Sequence, residues 1–330
     1  MRFRAFAAWA VAVLVLGLAG CGSAAPTEGS GGADQGQDFH VTVPTPYGDV
    51  ELTERPERIV VLSLDYLEAT LALDLTPVGA PTGVPLGDWV TERIDTTDTD
   101  IFAFSSPSNG EVPMEKIAAL DPDLILGSVY AVTQENFDEL SKIAPTLTHA
   151  DDADETVAGA WEDITRQVGT ATGTSDKADQ VIAEVHQKIT EAQEAAPNSQ
   201  GTKAIFAGVA AQGIAVTQGD AHSGMRLLQA LGLEQTDVGS GQEGYGGGRV
   251  MLSTEEIGQL DKADLLIIGA IDPAAAEQLF KNELYTSLDI VKEDHVLVLG
   301  ALGAWSFNTP IALNVPYLID QLQPLMEGVG

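Results

Sequence analysis

The chain has 330 residues, 16 Lys and Arg against 49 Asp and Glu, a formal charge of −33 and one cysteine. So acidic a chain is excluded from nonspecific nucleic-acid binding, which needs clustered Lys and Arg to neutralise phosphates. About 290 residues follow a leader-like N-terminus, more than the roughly 100–200 of an average domain, and this points to two lobes with a sizeable core.

Arg2 and Arg4 precede an apolar run over residues 5–18. The run has the size of a signal-peptide h-region and falls short of the roughly 20 residues that a bilayer-spanning helix needs. It closes on Leu18-Ala19-Gly20-Cys21, and Cys21 is the only cysteine. The stretch looks like a bacterial lipobox, in which the cysteine is acylated; an exported chain would otherwise carry an unpaired thiol in an oxidising compartment. Residues 22–38, GSAAPTEGSGGADQGQD, are small, polar and Gly/Ser-rich, the composition of a flexible tether.

Residues 39–53 alternate around turn residues and predict a small hairpin. Arg58-Ile-Val-Val-Leu62 is a continuous apolar run, expected of a strand buried on both faces of a parallel sheet. Ser63 is a suitable N-cap for a helix over 65–75, and Thr76-Pro-Val-Gly79 starts the next strand. The alternation continues with a helix at 115–120, a strand at 124–126 and a helix at 134–143. Residues 156–196 carry no strand signal and read as two amphipathic helices broken near Gly169–Gly173, the second capped by Ser175. Strands are then predicted at 203–209, 214–217, 265–268 and 296–299, with helices at 224–231, 254–260 and 311–325.

The fold class is therefore α/β: two Rossmann-like lobes joined by a long helical connector, with a cleft between them. The boundaries are 1–21 for a lipoprotein signal peptide, 22–38 for the tether, 39–155 for the N-terminal lobe, 156–198 for the connector and 199–330 for the C-terminal lobe. One stiff connector would limit closure. The stretch MEKIAALDPDLILGS from Met114 is echoed by TEEIGQLDKADLLIIG from Thr254, so that Glu115, Ile117, Leu120 and Asp121 match Glu255, Ile257, Leu260 and Asp261 at a spacing of 140. A carboxylate at a helix start is stabilised by the dipole, by about 0.3–1 kcal/mol. That explains each glutamate but not the repetition, which suits a docking pair, one carboxylate per lobe, for arginines of a partner.

Several chemistries find no support. Gly239-Ser-Gly241-Gln-Glu-Gly244 satisfies GxGxxG, yet more glycines follow where a nucleotide-binding helix should start. GxSxG and HExxH are absent, and the five histidines share no ligand spacing. The acidic runs at 95–100 and 151–155 lack EF-hand spacing and read as solvated loops. His222, in an Asp-Ala-His turn, is either a surface histidine or a ligand. No catalytic residues and no protein metal ligands are expected. Trp89, Tyr130, Tyr245 and Trp305 fall in predicted loops after strands, where open α/β sheets bind ligands. Arg249 is the preferred polar contact there, and Arg226 either joins it or caps its own helix.

RPERIVVLSLDYLEATLALDLTPVGA, VPMEKIAALDPDLILGS, ELSKIAPTL, MLSTEEIGQLDKADLLIIG and AWSFNTPIALNVPYLIDQL, in this order after LAGC, carry a resemblance. The chain resembles the helix-linked (cluster A, class III) substrate-binding lipoproteins of ABC importers, which deliver ferric siderophores, haem or vitamin B12. The resemblance implies a shallow cleft with little closure. It also implies docking of Glu115 and Glu255 on permease arginines, with Glu111 and Glu256 close enough to be confused with them. It makes the ligand an iron(III)–siderophore complex, with no intrinsic cofactor, and scarcity of basic residues favours a hydroxamate or mixed type over a catecholate. The implied partners are an ABC permease with its ATPase and the outer face of the plasma membrane, reached through the lipid on Cys21; a monomer is expected. The alternatives are haem or vitamin B12 as ligand, and a non-transport surface lipoprotein that reuses the fold.

Overall fold

The computed structural model describes residues 39–82, 86–94, 99–103, 111–149, 161–211, 213–219, 222–238 and 248–329. Cys21, Tyr245 and the GxGxxG stretch lie outside the described residues.

A hairpin opens the body, β1 (Val41–Val43) against β2 (Val50–Leu52). The first lobe then runs β3 (Ile59–Val61), α1 (Leu64–Ala72), β4 (Gly79–Thr82), α2 (Asp88–Ile94), β5 (Asp100–Ala103), α3 (Met114–Ala119), β6 (Leu124–Leu126), α4 (Gln134–Leu140) and β7 (Thr146–Leu147). Its sheet is parallel, in the order β5-β4-β3-β6-β7. Every residue of β3 (IVV) and β6 (LIL) is buried, which is why these strands read as unbroken apolar runs.

Two helices connect the lobes: α5 (Trp161–Thr172) and α6 (Ser175–Ala195). Gly173, at φ +68°, ends α5, with Thr174 N–H returning to Gly169 O at 2.8 Å. Glycine adopts this left-handed conformation without a side-chain penalty. The cap of α6 is Thr174 and not Ser175, which is the first helical residue. A Cβ on Gly169 would stand 2.7 Å from that of Ala178, so its absence lets α5 and α6 pack closely.

The second lobe runs β8 (Lys203–Ala210), β9 (Gly213–Thr217), α7 (Ser223–Ala230), β10 (Glu234–Gln235), β11 (Arg249–Leu252), β12 (Leu265–Ala270), α8 (Pro273–Phe280), α9 (Glu283–Thr286), α10 (Asp289–Lys292), β13 (Val296–Leu299), α11 (Ala301–Asn308) and α12 (Val315–Glu327). Its sheet has the order β11-β9-β8-β12-β13, with β10 beside the start of β8 and β9 antiparallel to both its neighbours. One continuous apolar cluster includes Val61 and Leu126 of the first lobe, Val185 and Ile189 of α6, and Ile267, Leu318 and Leu322 of the second. The outer face of each sheet has a separate cluster. The lobes are thus joined through a shared core as well as by the chain.

The repeated stretch folds differently in its two copies. The first is the α-helix α3, the second a 3₁₀ helix over Thr254–Lys262. Gly258 replaces Ala118, which weakens helix propensity, and one more residue separates Asp261 from its strand than separates Asp121 from its own. The last helix starts at Val315, four residues later than expected, because Asn314 closes a turn on Ile311 N–H at 3.0 Å.

Candidate ligand-binding site

Tyr130 stands in the turn that leaves β6, 44% exposed. Ser128 N–H donates to Ser63 Oγ at 2.8 Å, and Ser128 O receives the N–H groups of Ala131 and Val132, each at 2.8 Å. The turn is therefore fixed to the carboxyl ends of β3 and β6, the position at which open α/β sheets bind ligands.

Trp305 and Trp89 are both in helices, where the sequence predicted loops. The run GALGAWSFN has no polar periodicity because α11 buries Gly303, Ala304, Ser306 and Phe307 around most of its circumference; such a helix carries no amphipathic signal. Trp305 is left on its outer side, 42% exposed. Trp89 is half-buried, its ring 4.9 Å from that of Tyr317 on α12. It belongs to the junction between the lobes, apart from the other candidates. Its indole Nε1 and the Asn314 amide lie beside Glu68, which is 2% exposed on α1. The indole stops short of a well-formed hydrogen bond, and Glu68 Oε2 has no partner. Burial, reinforced by Asp65, pushes the Glu68 carboxyl up to about 8 in spite of the two neighbouring donors.

In the second lobe His222 and Arg249 meet on Asn308, with Arg226 near enough to act on the His222 ring. Gly219 N–H on Gln235 Oε1 (2.9 Å) and Gln218 N–H on Gly248 O (3.0 Å) tie the approach to His222 to β10 and β11. His222 is 6% exposed, so the reading as a surface turn residue is corrected. It is also the N-cap of α7, its Nδ1 accepting Gly224 N–H at 3.2 Å. Arg226, within that helix, donates from Nη2 to Ser223 Oγ at the helix start, at 3.1 Å.

With Nδ1 accepting, Nε2 carries the imidazole proton and donates to Asn308 Oδ1 at 3.1 Å. Arg249 Nη2 donates to the same oxygen at 3.1 Å, and Asn308 Nδ2 is anchored on Ala304 O at 2.8 Å. Burial first, then the charges of Arg249 and Arg226, hold His222 down to about 4 against the opposing bond to Asn308; the ring is neutral at neutral pH. A Cβ on Gly224 would collide with the carbonyl and ring of Phe307, so only glycine lets α7 and α11 approach closely enough to form this cluster. Asn308 and the N-cap role of His222 escape sequence reading: Phe-Asn-Thr-Pro reads as a turn, and the contact spans 86 residues.

Glu115 and Glu255 are both exposed, in the first turn of their helices. Glu256 is engaged locally, its Oε2 accepting Ser253 N–H at 3.0 Å and Ser253 Oγ–H at 2.8 Å in a capping box. The groove between α6 and α12, lined by Lys188, Glu191, Ile319, Asp320 and Gln323 among others, includes none of the site residues above. Among the described residues, no three His, Cys, Asp or Glu side chains converge as a metal site, and no helix is long and apolar enough to cross a membrane. Exposed aromatic surfaces and guanidinium donors are the groups that hold a large ligand with oxygen at its rim.

The sequence profile of the periplasmic binding protein family matches residues 59–301, and the chain belongs to that family. Among curated relatives, the iron(3+)-hydroxamate-binding protein FhuD of Bacillus subtilis is 24% identical over 312 residues, covering 93% of each chain. The putative ABC transporter substrate-binding lipoprotein YhfQ of the same organism is 28% identical over 315 residues, covering 91% of this chain and 92% of YhfQ. Among solved structures, a periplasmic solute binding protein from Mycobacterium smegmatis superposes with a TM-score of 0.75 at 22% identity, covering 89% of this chain and 99% of that one. The complex of Streptococcus pneumoniae PiaA with ferrichrome gives 0.69 at 23% identity, covering 88% and 99%. These structures share the two-lobed fold.

Proposed function

We propose that the protein is the extracytoplasmic substrate-binding component of an ABC importer, and that it captures a ferric siderophore of hydroxamate or mixed type for delivery to a membrane permease. The observation that carries this reading is that each lobe exposes one large aromatic, Tyr130 on the first and Trp305 on the second, and that the Trp305 helix also carries Asn308, on which Arg249 is held at 3.1 Å. Tyr130, Trp305, Arg249 and Arg226 form the contact set, joined by Tyr245; Trp89 supports it from the lobe junction. The curated relatives named for iron(3+)-hydroxamate and iron(3+)-citrate support the ligand class. The iron arrives already chelated and is cargo, so the protein supplies shape, stacking and hydrogen bonds and performs no catalysis.

Glu115 and Glu255 are the docking pair for permease arginines, and the capping of Ser253 by Glu256 supports Glu255 over its neighbour. Acylation of Cys21 anchors the monomeric body to the outer face of the plasma membrane, with residues 22–38 as tether and the lobes at 39–155 and 199–330 on either side of the connector. The test is a titration of intrinsic tryptophan fluorescence with ferric hydroxamate, mixed and catecholate siderophores, haem and vitamin B12. Saturable quenching by a ferric hydroxamate or mixed siderophore supports the reading; a response to haem or vitamin B12 alone replaces the ligand, and no response to any of them overturns it.

A further inference from the structure

The two lobes meet at a buried carboxyl. Glu68, on α1, is 2% exposed and its Oε2 has no partner. Beside it the indole Nε1 of Trp89, on α2, is also buried without a partner. The second lobe contributes the Asn314 amide, next to Glu68, and Tyr317, whose ring stands 4.9 Å from that of Trp89. Asn314 is fastened twice at 3.0 Å: its Oδ1 accepts Ile311 N–H and its Nδ2 donates to Thr309 O. These bonds fix the turn that leaves α11, directly after Asn308, which holds His222 and Arg249. A carboxyl at the lobe seam is thus linked through one amide to the candidate ligand site.

The charge that acts on Glu68 is that of Asp65, one turn earlier on α1. On α2, Arg93 turns back to Trp89 O at 2.6 Å and is exposed, as are Asp88 and Glu92. On α12, burial raises the Tyr317 phenol, which stays neutral, and Asp320 is exposed. Helix α5, also packed on α1, meets Tyr66 through Gln167, while its Arg166 pairs with Asp163 and Asp179. His149 stacks on the same Tyr66 ring, and β3 offers only Ile59, Val60 and Val61. Burial therefore governs Glu68 and pushes its carboxyl up to about 8. A closed seam binds a proton that a solvated glutamate, near 4.3, would release. That contribution to closure is complete below about pH 4.5 and is lost as pH rises through 8.

We propose that Glu68 is a proton-sensitive latch between the lobes: protonated, it closes the seam against Trp89 and Asn314; ionised, it opens the seam and loosens the end of α11 that carries Asn308. The seam is where movement is cheapest, because a buried carboxylate with an unpartnered oxygen gains most by reaching water there. The consequence for the ligand rests on the function proposed above. A ligand that touches Tyr130 on one lobe and Trp305 on the other favours the closed seam and is held less firmly as pH rises.

The experiment places spin labels on either side of the seam, through Glu92→Cys and Asp320→Cys in the mature chain with Cys21→Ser. Their separation is measured without ligand at about pH 6 and 8.5. With Glu68 intact, a longer-distance population is expected to grow with pH, by up to about tenfold per unit between about pH 5 and 8, one proton's worth. Glu68→Gln, and the equally uncharged Glu68→Met, are expected to keep the short distance throughout. An unchanged distance with Glu68 intact overturns the latch. So does the same change in the uncharged variants, or a change that appears only with loss of circular dichroism. The second readout is titration with ferrichrome and with ferric aerobactin at the same two pH values. Affinity is expected to fall by at least about threefold at the higher pH with Glu68 intact, and by less than about 1.5-fold in Glu68→Gln. Equal pH profiles overturn the coupling to the ligand. Binding of no ferric siderophore overturns the function reading, and the spin-label distances then decide the latch by themselves.

Discussion

Asp123 and Asp264 make equivalent contacts in the two lobes. Asp123 accepts the backbone N–H of Glu57 at 2.8 Å and of Arg58 at 2.9 Å, just before β3. Asp264 accepts that of Lys203 at 2.9 Å, at the start of β8. Each aspartate N–H donates back to the same strand start, Asp123 to Arg58 O at 3.0 Å and Asp264 to Lys203 O at 2.9 Å. The repeated stretch is thus a structural device in both lobes: a short helix that presents a glutamate outward, followed by an aspartate that fastens its strand to the central one. The two aspartates are 141 positions apart while the glutamates are 140 apart, because the second copy holds one more residue before its strand.

Removing these fasteners is expected to destabilise the fold unequally. Asp123→Ala leaves two backbone donors to water and is expected to cost about 1–3 kcal/mol, and Asp264→Ala, with one donor, about 1 kcal/mol. Urea unfolding of the two variants checks this, and equal or negligible losses would contradict it.

Glu68 makes the fold pH-sensitive. Its carboxyl in the folded protein lies near 8, above the roughly 4.3 of an unfolded chain, so folding favours the protonated form. The stability it contributes is fully present below about pH 4.5 and is lost as pH rises through 8. Glu68→Gln, a neutral mimic of the protonated group, is expected to remove this slope between about pH 5 and 8 and to raise the melting temperature at pH 8.5. The check is a set of thermal melts across pH; an unchanged slope in the variant would show that Glu68 is ionised in the fold.

The two exposed aromatics are expected to affect binding without affecting folding. Tyr130→Ala and Trp305→Ala are each expected to weaken a bound ferric siderophore by about tenfold, as loss of an aromatic anchor does. Both side chains are more than 40% exposed, so stability should move by less than about 0.5 kcal/mol. Calorimetric titration paired with thermal melts separates the two effects.

The glutamates divide by role. Glu115→Ala combined with Glu255→Ala is expected to abolish iron uptake while ligand affinity stays unchanged. Glu256→Ala, which removes the capping partner of Ser253, is expected to cost about 1 kcal/mol of stability and to leave uptake intact. Uptake of radiolabelled iron with each variant in a strain lacking the wild-type protein decides between them; loss of affinity in the double variant would contradict the docking role.

The scaffold was legible in the sequence where burial and periodicity agree. The runs IVV and LIL, buried on both faces, and the amphipathic α6, with Val181, Val185, Ile189 and Ala192 along one side, announce themselves. The α11 helix did not, because burial around most of its circumference erases the period that identifies a helix. The second half of the repeat was placed as a helix, but its 3₁₀ geometry was not legible, since Gly258 and one extra residue act below the resolution of a pattern. The arginines of the site could be nominated singly from their loops. Their common acceptor could not, because Asn308 lies 59 residues from Arg249 and 86 from His222, and nothing local to an asparagine in Phe-Asn-Thr-Pro marks such a contact.

The most direct measurement is isothermal titration of the mature protein with a mixed-type ferric siderophore, ferric aerobactin, and with its iron-free form under the same conditions. The account predicts saturable one-to-one binding of the ferric complex and at least tenfold weaker binding of the iron-free form, which lacks the rigid shape that the aromatic walls of the site fit. Equal binding of the two forms, or no binding of this or any other ferric siderophore, would contradict it.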